Sequence, residues 1–254
     1  MSALFLVSMG PGGLDLMAPK ALAAIQHCSD LVAYGLYLDL LGPVCAGKQH
    51  HPLPLGKETD RARLALDLAA GGNNTALISS GDIGIYAMAS LVFELLDREL
   101  ENNPHWLKAE VEVIPGISAM QVGASRAGAV LGHDFCTLSL SDLLTPWETI
   151  EKRIHSAGAG DFVIAFYNPV SRRRDWQLNA AREILLNYRP GSTPVVLGRH
   201  LSRENETVEI TDLQQLRADA VDMFTLVAVG NTETRRIDNA GRQWVYTPRG
   251  YRQQ

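Results

Sequence analysis

Three glycine turns, each directly after a short apolar run, constrain this chain more than any other feature. Leu4-Phe5-Leu6-Val7-Ser8 leads into Met9-Gly10-Pro11-Gly12-Gly13. Residues 75–79 lead into Ser80-Gly81-Asp82-Ile83-Gly84, and residues 111–114 into Pro115-Gly116. Between these turns the apolar spacing is helical. Residues 18–28 carry Leu22 and Ile25 with Pro19 suited to a first turn, residues 60–70 end at Gly71-Gly72, and residues 86–100 form a third such stretch. With a second apolar run at 30–34, the alternation predicts an α/β fold with a mostly parallel sheet. In such sheets ligands bind outside the carboxyl ends of the strands. The three turns belong to that one edge and can line a single site.

The second half continues the rhythm. Helices are expected at 118–129, 146–155 and 176–188, and strands at 135–140, 161–167, 194–198 and 224–229. Residues 206–210 are expected to pair antiparallel with 194–198, residues 212–216 form a short helix, and 243–246 an edge strand. The expected boundary divides an N-terminal domain, 1–117, from a C-terminal domain, 118–254. No Ser- or Pro-rich linker marks it, so the domains are expected to be tightly joined, and no internal repeat is visible.

A chain of 254 residues that is 46% apolar and 20% charged can bury a substantial core in one large or two small domains. Its net charge of −5 argues against a nucleic-acid partner. The charge is uneven: residues 1–117 sum to −6 and residues 118–254 to +1, and Arg outnumbers Lys 18 to 5. Arg suits planar, bidentate recognition of carboxylate or phosphate. Cys28, Cys45 and Cys136 are too few and scattered for a disulfide framework, and no CxxC offers a zinc or Fe–S site. No apolar run reaches the roughly 18 residues of a membrane span. The N-terminal run is too short for a signal segment, so a cytoplasmic location is expected.

The turns also exclude common nucleotide loops. A dinucleotide fingerprint would need glycine where Asp15 stands, and Pro11 removes a backbone donor. No G-K-[ST] is present for a phosphate loop. Ile117-Ser118-Ala119 lacks the closing glycine of a nucleophile elbow. His50-His51 reads as a loop, because adjacent histidines cannot easily share one metal.

Taken together, S-M-G-P-G-G, S-G-D-I-G-I-Y-A-M-A and I-P-G-I-S-A-M resemble the three successive signatures of the tetrapyrrole methylase family. The resemblance extends over essentially the whole chain. F-Y-N-P-V-S-R-R-R at 166–174, G-R-H-L-S-R-E-N-E at 198–206, V-G-N-T at 229–232 and S-L-S-D-L-L-T-P-W at 139–147 are similar to the corrin-pathway branch that methylates precorrin-3B at C17 and contracts the ring to precorrin-4. Two departures stand out. Ile83 occupies a position that often holds proline in the family. The cysteine-bearing extension of some longer relatives is lacking, so no metal or Fe–S cluster is expected.

The resemblance implies two α/β domains flanking a cleft. It also implies S-adenosylmethionine as co-substrate, S-adenosylhomocysteine as product, and a homodimer with neighbouring pathway enzymes as partners. By motif position, Pro11, Gly81, Asp82, Ile85, Ser118 and Ala119 are expected to contact the cofactor. Tyr167, Asn168, Ala228 and Val229 are expected to close its adenine side. Asp82 and Ser118 could equally be helix N-caps, and Tyr167 a core aromatic. Arg172, Arg173, Arg174, Arg199, Arg203 and Arg235 follow strand ends and suit a polycarboxylate, although any one of them could be a solvated charge. Acid–base candidates for ring contraction are His200, Asp82, Ser8 and Asp15. Remaining alternatives are a cobalt-containing substrate (cobalt-factor III), another ring position, a nucleotide-binding oxidoreductase and a non-catalytic binding protein.

Overall fold

A computed structural model describes residues 2–171 and 174–251. The chain divides into two compact units, Met1–Ser118 and Ala119–Gln254.

The first unit runs β1 (Ala3–Ser8), α1 (Pro19–His27), β2 (Asp30–Ala33), α2 (Gly35–Leu41), β3 (Gln49–Pro52), α3 (Glu58–Ala70), β4 (Thr75–Ser79), α4 (Met88–Glu99) and β5 (Glu110–Ile114). Its five strands form one parallel sheet in the order β3-β2-β4-β1-β5. Period-2 alternation sends successive side chains to opposite faces. Leu4, Leu6, Val32 and Leu77 pack with α3 and α4, while Val7, Leu31, Ala33, Ala76 and Ile78 pack with α1 and α2. Both faces are therefore covered, as a parallel sheet requires. Two elements were not visible in the apolar pattern: α2, and β3 with its sequence Gln49-His50-His51-Pro52. The histidines lie on this edge strand and not in a loop. His51 Nε2 is 2.8 Å from Asp30 Oδ1, and His50 Nε2 is 2.9 Å from the Cys45 carbonyl.

The second unit contains α5 (Ala119–Ala127), β6 (Gly128–Ala129), β7 (Phe135–Ser139), α6 (Trp147–Ala159), β8 (Val163–Tyr167), α7 (Gln177–Leu185), β9 (Pro194–Arg199), β10 (Thr207–Asp212), β11 (Thr225–Val229), β12 (Arg235–Asn239) and β13 (Arg242–Tyr246). Its main sheet has the order β10-β9-β11-β8-β7. This sheet departs from the parallel expectation. Only β7 and β8 pair parallel, whereas β11 runs antiparallel to both β8 and β9. The connection after β10 holds two single-turn 3-10 helices, Leu213–Gln215 and Ala218–Ala220, and crosses β9 to reach its other side. The expected edge strand at 243–246 is instead the middle strand of a small sheet, β12-β13-β6. One face of the main sheet packs Ile164, Phe166, Val195, Leu197, Val227 and Val229 with residues of α6 and α7. The other packs Val163, Val196 and Ala228 with Ala124, Ala127 and Val245. Among the described residues, no helix is long and apolar enough to cross a membrane.

Candidate functional site

The first unit gathers its glycine turns at the carboxyl ends of β1, β4 and β5, where they interlock. The Gly10 amide donates to the Gly81 carbonyl at 3.2 Å, and the Gly81 amide donates back at 2.6 Å. Both glycines have positive φ, +77° and +67°, a region that glycine enters at little cost. Gly116 is required for space: a Cβ there would stand 2.5 Å from the Ser8 Cβ and 2.9 Å from the Gly81 carbonyl.

Asp82 ties two of the turns. Its Oδ1 accepts from the Gly84 amide at 2.7 Å and its Oδ2 from the Gly116 amide at 2.9 Å. The helix after this turn starts at Met88 with Ala87 at its N-cap, so Asp82 closes an Asx-type turn and is not a helix cap. Each of its oxygens keeps acceptor capacity beyond the single amide bond. Pro11 is buried beside Gly10, Ile85 is half-buried, and Ser118 is buried immediately before α5.

Two further acid–base candidates in this unit, Ser8 and Asp15, sit in opposite environments. Ser8 is fully buried, and its Oγ accepts from the Ile83 amide at 2.8 Å. Its hydroxyl supports the turn from beneath and has no access to a ligand. Asp15 is exposed on the 3-10 turn Leu14–Leu16.

In the second unit, β8 and β9 are parallel to each other, since both oppose β11. The carboxyl ends of β7, β8 and β9 therefore share one edge, with β8 and β9 about 10 Å apart across β11. Tyr167 ends β8 half-buried, and its hydroxyl accepts from the Met120 amide at 3.2 Å. That amide belongs to the first turn of α5, where Ala119 is the first residue, and such amides have no partner within their own helix. Asn168 follows at φ +52° and donates from Nδ2 to Ser139 Oγ at 3.0 Å. His200, also at positive φ, stacks on Phe224 with ring centroids 5.0 Å apart. Arg199 pairs with Asp222 at 3.3 Å and donates to the Ala220 carbonyl. Arg203 is half-buried in the turn that follows.

Four expected site residues do not gather at this edge in an accessible form. Ala228 and Val229 are buried within the sheet, paired with residues near the starts of β8 and β9. Because β11 is antiparallel, its carboxyl end lies at the opposite edge from Tyr167. Arg235 follows that end and pairs with Glu233 on the surface. Arg174 is on the correct edge but is 8% exposed. It donates to the Asn168 carbonyl at 3.0 Å, and its Nε lies 3.7 Å from Asp142. Burial lowers its pKa and Asp142 partly restores it; the cation is committed to the fold. Arg172 and Arg173 lie outside the described residues.

Sequence reasoning also missed a buried arginine. Arg189 donates to the Phe162 and Gly230 carbonyls and so ties the start of β8 to the end of β11. Its charge pattern in the sequence is that of a surface residue. Among the described residues, no three His, Cys, Asp or Glu side chains are grouped to hold a metal ion.

A family profile described as Tetrapyrrole (Corrin/Porphyrin) Methylases matches residues 3–217. A precorrin-3B C(17)-methyltransferase of Sinorhizobium sp is 40% identical over 249 residues, covering 98% of this chain and 96% of that protein. A cobalt-factor III methyltransferase of Priestia megaterium is 43% identical over 251 residues, covering 98% of this chain and 45% of that protein. The chain thus spans nearly all of the first relative and about half the length of the second. A solved structure described as that of the methyltransferase CobJ matches with a TM-score of 0.89 and 39% identity, covering 98% of this chain and 100% of that one.

Proposed function

Because the chain belongs to the tetrapyrrole (corrin/porphyrin) methylase family, we propose that it is an S-adenosylmethionine-dependent C-methyltransferase of cobalamin biosynthesis, acting on precorrin-3B at C17 and contracting the ring to precorrin-4. The observation that carries this reading is the 40% identity to the Sinorhizobium relative over nearly the full length of both chains.

The first unit's turns suit S-adenosylmethionine. When bound, the cofactor supplies a methyl group activated by a positive sulfur. Gly81 lets a ligand approach the backbone closely, while Gly10 and Gly116 let the turns pack against their own neighbours. Asp82 holds a negative charge there, fixed by two amides and with lone pairs to spare. Pro11, Ile85 and Ser118 complete this set. Methyl transfer to a ring carbon is an in-line displacement, and most of its acceleration comes from alignment of the reacting atoms.

Ring contraction also needs a proton acceptor. With Ser8 buried and bonded, His200 is the acid–base group we assign, held by Phe224 at the second unit's strand-end edge. Arg199 and Arg203 supply cations at that same edge for substrate carboxylates.

The test is anaerobic incubation with precorrin-3B and S-adenosylmethionine, followed by mass and spectral analysis. The expected product is one methyl heavier and ring-contracted; a methylated but uncontracted product overturns the contraction claim. The identity to the Priestia relative favours a second substrate, cobalt-factor III. It is run in parallel, and faster turnover of it would reassign the substrate.

A further inference from the structure

We infer that the loop between β7 and α6 is a substrate-positioning flap, with Leu143 and Leu144 packing on the flat apolar face of the tetrapyrrole. This rests on the reading that the second unit's strand-end edge receives that substrate.

The loop leaves β7 at this edge. Leu143 and Leu144 are 83% and 98% exposed. Scattered single leucines on a surface are ordinary, but two adjacent ones this exposed lose nearly all the benefit of burial. They do not sit on a slack segment. Asp142, immediately before them, accepts from Gln177 Nε2 at 2.9 Å and faces Arg174. The Ser141 amide donates to Ser139 Oγ at 3.2 Å, and Ser139 Oγ also accepts from Asn168. Beyond the leucines, Trp147 begins α6 and packs against Trp176 at 4.7 Å between ring centroids.

These contacts lock the loop to the segment that follows β8. Trp176, itself 47% exposed, adds a large apolar side chain to the same block. The loop's anchors are polar and partly buried, while its tip is apolar and bare. That arrangement holds leucines toward a ligand and does not pack them inward. A macrocycle with a flat conjugated face and carboxylate arms, wide enough to reach across several strands, matches an apolar tip after β7 on the same sheet edge as the cations Arg199 and Arg203 after β9.

The test uses the double variant Leu143→Ser/Leu144→Ser and a control, Leu143→Met/Leu144→Met. Two probes are read: KM for precorrin-3B, and binding of uroporphyrin III, a stable tetrapyrrole, by quenching of tryptophan fluorescence. The serine variant is expected to raise KM and weaken uroporphyrin binding by about tenfold or more. S-adenosylhomocysteine affinity and melting temperature should not change, and the methionine variant should restore wild-type values. Equal uroporphyrin binding and equal KM in the serine variant overturn the flap, as does failure of the wild type to bind any tetrapyrrole. A wild type that binds uroporphyrin but does not methylate precorrin-3B overturns the proposed activity and leaves the flap judged by binding alone.

Discussion

At the scale of single residues, Gly116 and Asp82 hold the first unit's turns in register. Adding a methyl group at Gly116 drives it into Ser8 and the Gly81 carbonyl, with no flexible side chain able to give way. Gly116→Ala is expected to cost about 1–3 kcal/mol of stability, measured by urea unfolding, because overpacking forces backbone shifts. Asp82→Ala removes the acceptor for two amides. It should weaken S-adenosylhomocysteine binding at least about tenfold by titration calorimetry, since leaving such donors unpaired costs about 1–3 kcal/mol each. His50→Ala, on the far edge strand, should leave that affinity unchanged; equal losses would mean the turns do not hold the cofactor. His200→Gln should lower turnover by about 10²–10⁴, the usual worth of a positioned acid–base group. Cofactor affinity should stay intact, with methylated, uncontracted material accumulating.

At the scale of elements, α5 is fastened to the β9–β10 hairpin through one carboxylate. Glu206 accepts from Arg126 Nε at 2.7 Å and from the Ser202 amide at 2.6 Å. Burial pushes its pKa up, but these hydrogen bonds and the Arg126 charge outweigh that and hold it below the ordinary 4.5. A depressed folded-state pKa means the stabilisation is complete above about pH 4.5 and disappears as pH falls through the lower folded value. The stability gap between wild type and Glu206→Gln should therefore be flat, at up to about 1 kcal/mol, above pH 5 and should narrow below pH 4.5. A gap that widens on acidification would contradict this fastening.

What the sequence revealed at this scale follows the range of each signal. The turns around Gly10, Gly81 and Gly116 were legible, because glycine answers a local backbone demand. So were β4 and β8, as unbroken apolar runs. The direction of β11 was not, since an apolar strand reads the same either way, and it sets Ala228 and Val229 within the sheet, toward the edge opposite Tyr167. Arg174 read as a substrate-binding cation because its partner Asp142 is far away in sequence and only the fold brings them together. The strand β3 was missed because its polar residues suit an edge, where burial leaves no alternation to read.

At the scale of the whole molecule, ligand binding is linked to stability. S-adenosylhomocysteine at about 100 times its Kd should stabilise the native state by about 2.7 kcal/mol. That raises the melting temperature by about 5–10 °C for a chain of this size. NADP at the same concentration should have no effect, because Pro11 and Asp15 stand where a dinucleotide loop needs a donor and a glycine. A shift with NADP alone would instead point to an oxidoreductase. Cys28, its thiol pushed up to about 12 by burial, should resist alkylation at pH 8 in the native protein and react once the chain is unfolded.

The strand order of the first sheet also dictates a schedule during synthesis. The first strand made, β1, lies between β4 and β5 and pairs with residues 110–114 through a register that begins Ala3↔Glu110. A nascent chain that has not yet extruded residue 114 carries β1 with one edge bare. At a translation rate of about 5–20 residues per second, that exposure lasts several seconds. The same residues that cover the edge deliver Gly116 to Asp82, so ribosome exit completes the sheet and its turns in a single event.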